Sequence, residues 1–262
     1  LFVYYLGFVT EFTGLVGGKW AWYKQIGVSI RRMVGLLGGA PPAQLVRHGS
    51  VYMHGPLPEV PVPARRPEDR LQRLAVRGLT YHYPGTDHGI ADVALTLEPG
   101  SFTVITGRVG SGKTTLLRAL LGLVDRDAGE IHWNGEEVSD PAAFFTPPRS
   151  AYTPQAPTLF SESLRDNILM GLPEARFDLQ EALWLAVLQP DLAEMDEGLE
   201  TRLGAEGVRL SGGQRQRAAA ARMFVREPSL LVFDDLSSAL DVETERLLWR
   251  RDGDCTRRGD LE

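Results

Sequence analysis

Gly107-Arg108-Val109-Gly110-Ser111-Gly112-Lys113-Thr114-Thr115 is the stretch on which the fold turns. Four residues separate Gly107 from the triplet Gly112-Lys113-Thr114, which is the phosphate-loop spacing. The apolar, β-prone residues 102–106 precede it, and Leu116, Leu117, Leu120 and Leu121 follow at helical spacing, so a strand is expected to feed a glycine loop that opens a helix. Such a loop turns successive backbone N–H groups toward anionic oxygens, at the end of a helix whose dipole favours negative charge. Lys113 is expected to reach the β- and γ-phosphates of a nucleotide and the Thr114 hydroxyl to sit on Mg²⁺.

Working outward, Leu79–Tyr83 and Val93–Leu97 alternate as half-buried strands around a turn at Pro84-Gly85, and residues 129–133 form a short strand closed by Asn134-Gly135. These predict a small antiparallel sheet beside a nucleotide-binding core. Residues 150–152 read as another strand, ending at Thr153-Pro154-Gln155, and 161–170 and 179–188 have helical apolar spacing. Leu210-Ser211-Gly212-Gly213-Gln214 precedes an alanine-rich helix, with Ser211 as its N-cap and a second set of N–H groups available to an anion. Residues 230–233 form an apolar strand ending in Asp234-Asp235, where ligands bind in open α/β sheets, and one of these carboxylates is expected to hold the metal.

The 262 residues are 43% hydrophobic and 24% charged, an ordinary globular balance, and the net charge of −6 speaks against a general nucleic-acid binder. The one cysteine, Cys255, excludes an intramolecular disulfide and a cysteine-rich metal site. Residues 1–18 are apolar apart from Glu11 and precede Lys19-Trp20-Ala21-Trp22-Tyr23-Lys24, whose aromatics and lysines suit a membrane interface. The expectation is the end of a last membrane helix with its cytoplasmic extension over residues 1–37, the alternative being a soluble buried or amphipathic helix. Seven of the 17 prolines fall between Pro41 and Pro67, which marks 38–72 as a solvated linker before a domain over 73–262. The start at Leu1 rather than Met suggests a fragment or processed product.

With these motifs in order, the chain resembles an ATP-binding-cassette (ABC) transporter, a half-transporter of the exporter type. The resemblance implies an α/β fold of the ABC P-loop type, with a mixed sheet core, an antiparallel β subdomain and a helical signature subdomain. Gly107, Arg108, Val109, Gly110, Ser111, Gly112, Lys113, Thr114 and Thr115 form the Walker A loop for ATP, and residues 230–234 the Walker B strand. Tyr83 matches the aromatic that stacks on adenine, the alternative being a tyrosine packed in the sheet. Gln155 matches the glutamine that touches Mg²⁺, giving Thr114, Gln155 and Asp234 as the metal set. Ser211, Gly213 and Gln214 match the signature that closes over the ATP of a second ABC subunit, and residues 237–241 the loop through which two cassettes meet. The implied role is coupling of ATP binding and hydrolysis at a dimer interface to solute export, at the cell membrane with the ATP-binding domain cytoplasmic. A soluble clamp acting on DNA or ribosomes, or an inert regulatory cassette, is the competing reading.

Two departures from the family pattern bear on turnover. Asp235 stands where active members usually carry the glutamate that deprotonates the attacking water, and a carboxylate shorter by one methylene has less reach. The five histidines are His48, His54, His82, His88 and His132, so none occupies the switch position after Walker B, and 251–262 offers no completing strand. The expectation is a cassette cut short at its end, with Lys113, Gln155 and Asp235 as catalytic residues, that binds Mg-ATP better than it hydrolyses it. The matching role is the degenerate half of a heterodimer.

Overall fold

The computed structural model describes residues 2–49, 62–204 and 210–235. By its internal contacts the chain divides between Pro58 and Glu59 into two units. The first contains one 34-residue helix, α1 (Phe2–Gly35), followed by a 3-10 turn at Pro42–Val46. Its aromatics are exposed, Phe2, Tyr4, Phe8, Trp20 and Trp22 among them, and Lys24 lies over the Trp20 ring at 5.2 Å. No helix among the described residues is long and apolar enough to cross a membrane. Glu11 and the glycines Gly7, Gly14, Gly17 and Gly18 dilute the apolar run, and Lys19 ends it.

The second unit starts with a four-stranded antiparallel sheet in the order β2-β1-β3-β4, from β1 (Leu74–His82), β2 (Gly89–Leu97), β3 (Ala128–Trp133) and β4 (Glu136–Glu137). Asn134 and Gly135 join β3 to β4 with φ of 54° and 92°, the left-handed pair that a two-residue hairpin turn requires. Asn134 also accepts hydrogen bonds from the Gln72 and Arg73 N–H groups through Oδ1, at 2.7 and 3.0 Å. The residues just before β1 are therefore held against this sheet. Asp69 and Leu71 are buried, Arg149 pairs with Asp69 at 2.7 Å, and Trp133 Nε1 donates to Glu68 O.

Leu74, Val76, Leu79, Ile131 and Trp133 project from this sheet into one core, which α2 (Lys113–Leu120) closes with Leu116, Ala119 and Leu120. A helix α3 (Pro141–Phe144) brings Phe144 and its neighbour Phe145 edge-on to Trp133 at 5.7 and 6.0 Å. The second core is helical: α4 (Leu164–Leu169), α5 (Leu179–Leu185) and α7 (Gly212–Phe224) enclose Leu164, Ile168, Leu183, Leu188, Ala220 and Val225. Alanines at 218–221 let α7 approach α4 and α5 closely, and α6 (Gln189–Ala193) is tied to it by a bidentate pair of Arg217 with Asp191 at 2.7 and 2.8 Å. Arg222 and Arg226 cap the end of α4 by donating to the Asn167, Ile168 and Leu169 carbonyls. Burial, and Arg222 beside it, pull Arg226 down to about 10.

Between the two cores run β5 (Ser150–Thr153) and β6 (Leu230–Phe233), paired in parallel with Ser150 opposite Leu230 and Thr153 opposite Phe233. Leu230 and Val232 enter the first core while Leu231 and Phe233 pack on the second. A strand covered on both faces has no polar side, which is why 230–233 is apolar throughout. Residues 102–106 depart from expectation. They are not a strand: Phe102 and Val104 are exposed, and no described strand pairs with them. β-propensity alone does not make a strand, which exists only through its ladder. The expected helices are shorter than the apolar spacing suggested, α4 beginning only after the Ser163 N-cap.

Candidate functional site

The phosphate loop feeds directly into α2, with Gly112 as N-cap at φ 90° and no side chain bonding the cap. The first-turn N–H groups of α2 thus carry no side-chain acceptor, in contrast to α7. A Cβ on Gly112 would lie 2.8 Å from Ile90 Cγ2 and 3.1 Å from Gly89 O, so the loop passes against β2 where only glycine fits. Ser111 N–H donates to Arg108 O, Val109 is fully exposed at the tip, and Lys113 Nζ folds back to donate to Gly107 O and Arg108 O, each at 3.0 Å. Lys113 therefore spans the loop that an anion would occupy. Its ammonium is satisfied by two carbonyls and could exchange them for phosphate oxygens at little desolvation cost.

β5 and β6 end together, and the ladder runs one step further through Asp234 N–H to Thr153 O at 3.0 Å. That step fixes two carboxylates and an amide at the carboxyl ends of parallel strands. Asp234 is buried, accepting from the Thr114 hydroxyl at 2.9 Å on Oδ1 and from the Tyr152 hydroxyl at 3.3 Å on Oδ2. Adjacent ligands of an octahedral Mg²⁺ at about 2.1 Å stand about 3 Å apart, so the Thr114–Asp234 spacing suits neighbouring ligands of that ion. The donors are hard oxygens, as Mg²⁺ prefers, and among the described residues no cluster of three or more His, Cys, Asp or Glu offers another metal set. Burial, and then the Asp234 charge, raise Tyr152, which keeps its hydroxyl a donor to that carboxylate.

Gln155 Nε2 donates to Asp235 Oδ2 at 3.0 Å, and Asp235 is exposed with φ 57°. The pair leaves the Gln155 oxygen available to a cation and holds the Asp235 carboxylate in one orientation. Tyr83 is brought to the loop: its hydroxyl lies 3.2 Å from Thr115 Oγ1 and its ring stands edge-on to Tyr81 at 5.1 Å. At 38% exposure it keeps part of its surface in solvent beside the phosphate loop.

Ser211 caps α7 as expected, and reciprocally: its Oγ accepts from Gln214 N–H at 3.2 Å and Gln214 Oε1 from Ser211 N–H at 2.9 Å. The Ser211 hydroxyl hydrogen and the Gly213 N–H are not part of that box. Residues 237–241 lie outside the described residues. Two side chains at the site escaped the sequence reading. Tyr152 could have been found as the tyrosine three before Gln155, on the strand next to Walker B. Gln216 could have been found as the one amide on the stripe 216, 219, 220 and 223, which α7 buries.

The profile of the family described as ABC transporter matches residues 90–238. The chain belongs to the ABC transporter family. It is 40% identical over 178 residues to the ATP-dependent lipid A-core flippase of Pseudomonas fluorescens, covering 66% of this chain and 29% of that one. It is 38% identical over 184 residues to the ABC-type transporter atr1 of Mycosarcoma maydis, covering 66% of this chain and 13% of that one. This ABC chain thus spans less than a third of the length of these relatives. Among solved structures it resembles a bacterial Atm1-family ABC exporter with ATP bound, at 26% identity and a TM-score of 0.61, over 74% of this chain and 33% of that one. The antiparallel sheet, the strand pair and the helical unit are accordingly those of an ABC ATPase domain, as the motifs implied.

Proposed function

We propose that this chain is the ATP-binding part of an ABC exporter subunit, which binds Mg-ATP at its own Walker A loop and presents its signature end to a second cassette. The observation that carries this reading is the Thr114 hydroxyl on the buried Asp234 carboxylate, at the foot of a helix whose N-terminus has no side-chain cap. Thr114, Asp234 and Gln155 hold Mg²⁺, Lys113 and the loop N–H groups hold the β- and γ-phosphates, and Tyr83 contacts the adenine. Mg²⁺, when bound, neutralises charge on the phosphates and favours cleavage of the terminal one. Asp235 orients water, steadied by Gln155. Being one methylene shorter than glutamate, it does so weakly, which favours a heterodimer in which this site binds and the partner's site turns over.

Export across the cell membrane, with the ATP-binding domain cytoplasmic, is supported by the names of the relatives: a flippase and an exporter. No observation favours a clamp on DNA or ribosomes, and the acidic balance speaks against one. The test is titration of a fluorescent ATP analogue with and without Mg²⁺, alongside Lys113→Ala. Saturable, Mg²⁺-dependent binding that Lys113→Ala weakens by about 10-fold or more, the scale of a lost charge-assisted contact, is expected. Binding indifferent to both would end the ATP reading. Homodimer turnover equal to that of an intact exporter would end the degenerate-site reading.

A further inference from the structure

Gln216 lies five residues into α7 from the Ser211 cap, about 7.5 Å along the axis at 1.5 Å per residue. It is only 3% exposed. Its Nε2 donates to two main-chain carbonyls from different elements, Gln155 O at 3.4 Å and Asp235 O at 3.3 Å, while its Oε1 is buried with no hydrogen-bond partner. A buried primary amide with two long bonds and an orphaned oxygen is a poor way to stabilise a core. Two long bonds return little for an amide taken out of water. What the amide does achieve is connection, because it touches the loop after β5, the end of β6 and the helix that begins at Ser211.

We propose that Gln216 is a positioning residue that couples occupancy of this chain's own phosphate loop to the signature end of α7. The inference rests on the ATP reading above. The route is short. A nucleotide held by Lys113 and Thr114 fixes Asp234 through the Thr114 hydroxyl, and the next residue, Asp235, presents the carbonyl to which Gln216 donates. The same amide grips the Gln155 main chain, whose side chain meets the Asp235 carboxylate, so both ends of the Gln155–Asp235 pair are referenced to α7. Displacement of either carbonyl reaches Ser211 and Gln214 through about one and a half turns of a helix whose first turn is closed by the reciprocal cap box.

The test compares wild type with Gln216→Met, which keeps length and volume but donates nothing. Three quantities are read with and without Mg-ATP: nucleotide affinity, melting temperature, and hydrogen exchange of residues 210–217. In wild type, Mg-ATP slows exchange over 210–217 by about 3- to 10-fold, as expected when a local opening is tied to a bound site. In Gln216→Met that response is lost, while affinity stays within about 2-fold and the melting temperature falls by a few degrees at most, no more than the loss of two long hydrogen bonds allows. Gln216→Glu, which swaps the donor for an acceptor, loses the response too, and serves if the methionine variant does not fold. A full response in either folded variant overturns the proposal. So does a wild type that binds Mg-ATP without any response at 210–217. A wild type that binds no Mg-ATP overturns instead the reading on which the proposal rests.

Discussion

Gly112→Ala puts the strictest demand on the phosphate loop. The backbone at Gly112 has φ 90°, and left-handed conformation costs a residue with a Cβ about 1–2 kcal/mol. The added Cβ would also sit 2.8 Å from Ile90 Cγ2, well inside the 3.5–4.0 Å at which carbons attract, and 3.1 Å from the Gly89 carbonyl oxygen. Ile90 is buried on β2 and Gly89 contributes backbone, so neither gives way by a simple swing; overpacking of this kind adds about 1–3 kcal/mol. The total is about 2–5 kcal/mol against the native loop. If the loop alone rearranges, affinity for Mg-ATP falls by roughly 30-fold to several thousand-fold, at about 1.4 kcal/mol per factor of ten. If the loop is held, the same energy appears as a lower urea midpoint at unchanged m-value.

Gly110→Ala is the internal control. Gly110 has φ 81°, and a Cβ added there would meet nothing within 4 Å, so only the conformational cost of about 1–2 kcal/mol applies. Fluorescent-nucleotide titration and urea unfolding of both variants separate the steric cost from the conformational one. Retention of both affinity and midpoint in Gly112→Ala, or equal effects of the two alanines, would refute the steric role of Ile90 and Gly89.

Removing one partner of the largely buried Arg217–Asp191 pair, as in Arg217→Met, is expected to lower stability by about 3 kcal/mol, the low end for buried pairs, and Asp191→Leu in the same chain to restore most of it. A double-mutant cycle by urea unfolding measures this, and additive effects would show the pair to be uncoupled. Ser211→Ala should remove about 1 kcal/mol through loss of the α7 cap while leaving Mg-ATP affinity at this chain's own loop unchanged. A loss of that affinity would mean that Ser211 acts on this chain's own nucleotide rather than on a partner's.

Much of the site was legible because its signals are local. The phosphate loop needs glycines at set intervals before a helix, the α7 cap needs Ser211 and Gln214 three apart, and the hairpin at Asn134-Gly135 needs two left-handed residues. Each is decided by backbone sterics within a few residues, so spacing alone reveals it. The antiparallel sheet followed from alternation, which records a buried face. One expectation fails because it depends on distant residues. Residues 102–106 have the composition of a strand, yet pairing depends on a neighbour distant in sequence.

The sequence by itself determined the phosphate loop, the signature cap and the Asp234-Asp235 end of an apolar strand. Those features rest on short-range geometry that no distant residue alters. Only the tertiary structure decided that Thr114 meets Asp234 across 120 positions, that Gln155 holds Asp235, and that Gln216 bridges both main chains. The reason is the parallel pairing of β5 with β6 between two cores, a long-range register that carries no mark in either strand.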